Sequence, residues 1–80
     1  MPSRSIDDAI FALLAEREAG QSISPSEAAQ AVDPDDWRRL LPQVRATAVG
    51  LARQGRLVIL RKGRPADPDA LKGVYRLRLP

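Results

Sequence analysis

A chain of 80 residues with a formal net charge of +3, no cysteine and no histidine has room for one small domain. The missing residue types exclude disulfides, thiol chemistry, the usual zinc sites and the commonest general base. No apolar run approaches the roughly 18 residues of a membrane span, and MPSRSIDD lacks the apolar stretch of a signal peptide, so a cytoplasmic protein is expected.

The charge is unevenly placed. Residues 1–36 hold eight acids against Arg4 and Arg17, a net of −6; residues 37–80 hold eleven basic residues against Asp67 and Asp69, a net of +9. This predicts a dipolar domain with one cationic end. Some of the N-terminal acids also fit helix starts, where the backbone dipole favours them. Arginine supplies 11 of the 13 basic residues, a bias that fits a high-GC bacterial source.

Ser5-Ile6-Asp7-Asp8 resembles a capping box. Ile6, Ile10, Leu13, Leu14 and Arg17 follow helical spacing, and Gly20 supplies a stop, so the first helix is predicted over about Ile6 to Ala19. Gln21-Ser22-Ile23 is a connector in which Ile23 can add a short strand to a sheet. Ser24-Pro25-Ser26-Glu27 is a full capping box with proline at the first helical position, opening a short alanine-rich helix that runs to Val32. Asp33-Pro34 repeats the cap for a helical segment, Pro34 to Leu41, anchored by Trp37, Leu40 and Leu41. Pro42 breaks any continuing helix and starts another, Pro42 to Gln54, with Val44, Ala48 and Leu51 on its core stripe and Gly55 as its stop.

Arg56 to Arg61 reads as a strand, and Lys62-Gly63-Arg64-Pro65 as the start of a loop. Asp67 to Gly73 reads as one capped helical turn. Val74 to Leu79 alternates, with Tyr75, Leu77 and Leu79 facing inward and Val74, Arg76 and Arg78 outward. The fold class that follows is α+β: a winged helix-turn-helix with a three-helix core and a C-terminal β-hairpin wing, filling residues 1–80 as one domain. The expected core is Ile6, Ile10, Leu13, Leu14, Ile23, Ala28, Val32, Trp37, Leu40, Val44, Ala48, Leu51, Leu57, Ile59, Tyr75 and Leu77.

The spacing of Ser24-Pro25-Ser26-Glu27, Trp37, Leu41-Pro42-x-Val44-Arg45, Gly55-Arg56-Leu57, Lys62-Gly63, Asp67-Pro68 and Arg76-Leu77-Arg78 resembles a short bacterial family, domain-of-unknown-function family 3253, over nearly the whole chain. That resemblance implies a winged-helix fold and no particular activity. The topology is also similar to winged-helix transcriptional regulators in general, which implies DNA binding by analogy.

Two surfaces are candidates for function. Opposite its core stripe, Pro42–Gln54 presents Gln43, Ala46, Val49, Gly50 and Arg53, with Arg45 at the edge. Gln43, Arg45 and Arg53 are the residue types that read bases or meet phosphates. The small apolar centre suits a protein partner or homodimer equally well, or is simply a solvated face. The hairpin adds Arg61, Lys62, Arg64, Lys72, Arg76 and Arg78, a set suited to phosphates or to a solvated strand edge. The DNA-binding residues are therefore expected to be Gln43, Arg45, Arg53, Arg61, Lys62, Arg64 and Arg76. The alternative is an interaction or dimerisation module, and RNA binding through the same cations is a third reading. Trp37 is read as a packing anchor rather than a base-stacking residue. Arg38 is expected to pair with Asp35 and Asp36, and Arg39 to extend the cationic surface.

No enzyme is expected, because the carboxylates sit at caps and on exposed helix positions. Neither cofactor, metal, small-molecule ligand nor membrane partner is implied. Asp33, Asp35 and Asp36 lack the calcium-loop pattern, and the glycines form no phosphate-cradling motif.

Overall fold

The computed structural model describes residues 5–80; the leading MPSR, with Arg4 of the charge count and the start of the expected leaderless terminus, lies outside them. Three helices, α1 (Ile6–Ala15), α2 (Pro25–Val32) and α3 (Leu41–Arg53), pack on a small antiparallel sheet of β1 (Val58–Arg61), β2 (Arg64–Pro65) and β3 (Arg76–Arg78). Strand β1 is central, with β2 on one side and β3 on the other. This is the α+β winged-helix arrangement expected from the chain.

The connector strand is present. Ile23 forms a single antiparallel bridge with Leu77: its N–H donates to the Leu77 carbonyl at 2.8 Å, and its carbonyl accepts from the Leu77 N–H at 2.9 Å. Leu77 also pairs in register with Ile59 of β1. Ile59, Leu77 and Ile23 thus stand side by side across the sheet, all essentially inaccessible to solvent. Ile10, Leu14, Ala28, Ala29, Leu40, Val44, Ala48 and Leu51 meet this layer from the helices. Ala9, Ala29 and Leu71 join the buried set beyond expectation, whereas Ile6, Leu13, Val32 and Trp37 are only half-buried.

The caps explain most of the boundaries. Ser24 Oγ accepts from the Glu27 N–H at 3.2 Å, and the Glu27 carboxylate accepts from the Ser24 N–H at 3.4 Å. Arg17 donates to the same carboxylate at 2.6 Å, fastening the end of α1 to the start of α2. Burial alone would raise the Glu27 carboxyl; the bonds from Ser24 and Arg17 outweigh it and hold the group below its ordinary range. A lowered carboxylate stabilises the fold above the ordinary glutamate range and loses that contribution as the pH falls through it. Ser24→Ala is expected to cost about 1 kcal/mol of stability, read as a lower midpoint in urea denaturation with an unchanged slope.

Helix α1 ends at Ala15 rather than near Ala19. Its last turn tightens, with Glu16 and Arg17 N–H groups donating to Leu13 and Leu14 three residues back, and the pull of Glu27 on Arg17 turns the chain away. The segment expected from Pro34 starts late, as a 3-10 helix over Trp37–Leu40. Asp33 does cap, but its Oδ1 accepts from both the Asp35 and Asp36 N–H groups at 3.2 Å, which closes a turn before any helix begins. Pro42 lies in the first turn of α3, where its missing N–H costs nothing.

Helix α3 closes in a Schellman motif. The Gly55 N–H donates to Ala52, the Arg56 N–H reaches back to Leu51, and Gly55 takes the left-handed conformation at φ +76° that the motif needs. Because Arg56 is committed to that closure, β1 begins at Val58 and not at Arg56. At the far end of β1 the segment read as a loop is instead a tight two-residue hairpin. Lys62 and Gly63, at φ +53° and +78°, form the reverse turn whose twist matches antiparallel strands, and Arg61 pairs with Arg64. The helical turn after Asp67 is real but short, a 3-10 helix over Pro68–Ala70 capped by the Asp67 carboxylate on the Asp69 N–H at 2.9 Å. Strand β3 keeps the alternation at Tyr75 and Leu77, but Leu79 is 44% exposed, one residue beyond the last paired position.

Candidate nucleic-acid interface

The wing comprises the hairpin tip at Lys62-Gly63 and the segment from Ala66 to Tyr75 that returns across α3. Its 3-10 turn lies against α3 and engages two of the arginines expected to meet DNA. Arg53 donates through Nε to the Asp69 carboxylate at 2.8 Å, and its Nη2 contacts the same oxygen. About two helical turns earlier, Arg45 donates to the Leu71 carbonyl. Between them Val49 packs partly against the core, in which Leu71 is buried. The stripe Arg45–Val49–Arg53, at successive i, i+4 positions, is therefore the seat of the wing. What α3 leaves open is a narrower ridge of Gln43 and Ala46, both exposed, with Gly50 half-buried beside them.

The other cations divide in the same way. Arg38 lies over the Trp37 ring with its guanidinium carbon 4.6 Å from the centroid, and Arg56 lies over Phe11 at 5.0 Å. Arg39, not Arg38, takes the neighbouring acids, reaching Asp36 at 2.5 Å and Asp33 at 3.3 Å. Those ion pairs reverse the roles expected for Arg38 and Arg39. Arg76 donates to Ser22 twice, to Oγ at 2.6 Å and to the carbonyl at 3.0 Å, which fixes β3 to the connector before α2. Arg61 points back along the wing. Its Nε is buried and makes no hydrogen bond among the described residues, and a Cβ on Gly73 would sit 3.2 Å from its Nη2. Gly73 thus makes room for this side chain.

Arg78, half-buried, donates to the Leu79 carbonyl at 3.0 Å, which leaves three basic residues of this half of the chain. Lys62 at the turn, Arg64 beside it and Lys72 on the returning segment are exposed, and none forms an ion pair with the described residues. Of the seven residues expected to bind DNA, Lys62 and Arg64 share the hairpin tip and Gln43 lies at the opposite end of α3 from Arg53. Arg45, Arg53 and Arg76 are drawn into interactions that hold the wing and connector in place, and Arg61 is half-buried beside Gly73.

A family model described as "protein of unknown function (DUF3253)" matches residues 3–80. The chain belongs to that family. No curated protein matches it. Within this DUF3253 domain, no helix among the described residues is long and apolar enough to cross a membrane.

A further feature of the DUF3253 domain went unseen in the sequence. A groove of about 560 Å³ opens between the start of α2, the start of α3 and the segment Gly73–Arg76. Leu41, Pro42, Val74 and Tyr75 give it apolar walls, and Arg45 and Arg76 stand in its lining. Val74 is 87% exposed. The sequence signal was a β-branched residue on the outward side of the β3 alternation, directly after Gly73, where a polar residue is the ordinary choice.

Proposed function

We propose that this domain binds double-stranded DNA in the cytoplasm through its wing, as a small regulator or architectural protein. The observation that carries the reading is the set Lys62, Arg64 and Lys72: three exposed cations with no ion-pair partner among the described residues, all on the wing. Cations already paired with carboxylates gain little from a phosphate, because the ion pair must first be broken. Unpaired ones release condensed counterions from the duplex at no such cost. The net charge of +9 over residues 37–80 adds long-range attraction toward the same end of the molecule. In this reading Lys62, Arg64 and Lys72 contact phosphates, Gln43 approaches base edges, and Arg45 and Arg53 set the angle between wing and α3.

Fluorescence anisotropy with a random-sequence duplex across a salt series tests it. Binding in the micromolar range at low salt is expected, with log K falling against log salt at a slope of about −2.7 for three phosphate contacts. Absence of binding at low salt would sink the proposal for the isolated chain.

A second reading rests on the Ala46–Gly50 ridge, which is small and uncharged, with Ala46 exposed and Gly50 half-buried. That surface suits a protein partner or a second copy of the chain. Ala46 is the residue to probe, because Val49 contributes to packing. If sedimentation shows a dimer that Ala46→Glu dissolves while DNA affinity persists, the ridge is the interaction surface.

A further inference from the structure

The geometry points to the groove between α2, α3 and the Gly73–Arg76 segment as a binding site for a small amphipathic carboxylate, its apolar body on Leu41, Pro42, Val74 and Tyr75 and its charge on Arg45 and Arg76. At about 560 Å³ the groove lies within the size range of small-molecule sites. Its composition follows the usual pattern of such sites, a mostly apolar wall with a few polar side chains. The two charged residues in the lining are both guanidinium cations, and no carboxylate lines the groove. Neither arginine has a carboxylate partner among the described residues: Arg45 bonds a backbone carbonyl and Arg76 bonds Ser22. Those neutral acceptors fix the side chains in place without cancelling their charge. An anion is what the site lacks.

Tyr75 adds a donor. Its ring is buried, with 8% of the residue exposed, it lines the groove, and its hydroxyl makes no hydrogen bond among the described residues. Burial raises its titration above the ordinary tyrosine value while the nearby Arg45 charge opposes that rise, so the hydroxyl stays protonated and able to donate at neutral pH. A carboxylate held by two guanidinium groups and a phenol receives charge-assisted hydrogen bonds, the strong kind. A second copy of the chain is a poorer occupant, since pairing two such grooves would gather four arginines without an acid. Water is poorer too, because the walls around Val74 and Pro42 offer it few partners.

The test is a titration of the whole isotope-labelled chain, followed by amide resonances, with phenylbutyrate, its uncharged analogue phenylbutanol, and acetate. Saturable shifts confined to Leu41, Arg45, Gly73, Val74 and Tyr75 are expected with phenylbutyrate. The alcohol should bind about tenfold more weakly, the difference one good charged contact makes. Acetate should not saturate. Val74→Asp, at a position open enough to leave the fold intact, should abolish the phenylbutyrate shifts while the rest of the spectrum stays unchanged. The site is overturned if phenylbutyrate does not saturate in the millimolar range, or if acid and alcohol bind alike. It is equally overturned if acetate matches phenylbutyrate, if Val74→Asp leaves binding unchanged, or if the same resonances move with protein concentration alone, which would assign the groove to a second copy.

Discussion

Leu77→Ala is expected to remove a large share of the stability of the domain. Leu77 is wholly buried and is paired on both sides, with Ile59 in register across β1–β3 and with Ile23 through the connector bridge. Cross-strand neighbours on one face stand close enough for their methyl groups to touch, so truncating the middle one opens a void between the outer two. The strands cannot close it, because both backbone hydrogen bonds to Ile23 hold them at fixed spacing. Leucine-to-alanine changes at sites of this kind cost about 2–5 kcal/mol. A domain of this length has roughly 4–12 kcal/mol in total at the usual 0.05–0.15 kcal/mol per residue. A fall of roughly 8–40 °C in the thermal midpoint follows, measured by circular dichroism. A loss under about 1 kcal/mol would mean that the sheet repacks freely and that the Ile23–Leu77–Ile59 layer is not the centre of the core.

That layer was readable in advance because it depends on local pattern. The period-two alternation put Leu77 inward, the isolated Ile23 between two capped helices had nowhere to go but the sheet, and the stripe of Val44, Ala48 and Leu51 oriented α3. The capping box at Ser24 and the glycine stop at Gly55 marked helix ends for the same reason: a capping box or a Schellman closure is settled within about six residues. Gly20, by contrast, lies past the end of α1 at Ala15, and Asp33-Pro34 closes a turn before any helix. The errors of one or two residues at strand starts came from competition between such local motifs, as when the closure of α3 claimed Arg56.

The candidate site was far less legible. A sequence counts cations but does not show which ones have partners. Arg53 and Asp69 are sixteen residues apart, and Arg45 and Leu71 twenty-six; both pairings depend on the path of the wing across α3. Asp69 read as part of a capped turn, which it is, and its second role as the anchor for Arg53 has no local signature. The groove is of the same kind. Its walls come from residues 24–26, 41–45 and 73–76, three segments that only the tertiary fold brings together. What the chain did announce was the imbalance of charge toward residues 37–80, and the structure narrows that imbalance to a few side chains.

Replacing Lys62, Arg64 and Lys72 together by glutamine gives the sharpest separation between the DNA reading and its alternative. All three are exposed and unpaired among the described residues, so the triple variant should fold as the parent does, each substitution changing stability by no more than about 0.5 kcal/mol. Its DNA affinity should nevertheless collapse. Each neutralised phosphate contributes a slope of about −0.9 in log K against log salt, which near 0.1 M salt corresponds to roughly tenfold in affinity. Removing all three cations together predicts a drop on the order of 10² to 10³, and a salt dependence that becomes nearly flat. Arg53→Gln should behave in the opposite sense. It loosens the hold of Asp69 on α3, frees the returning segment of the wing and leaves the salt slope close to that of the parent. If instead Arg53→Gln flattens the slope and the triple variant does not, the phosphates lie along α3 rather than the wing. If neither variant changes the slope, whatever DNA binding is measured does not use this face of the molecule. The Ala46–Gly50 ridge then becomes the surface to pursue, since it presents accessible small side chains without the charge that a nucleic acid requires.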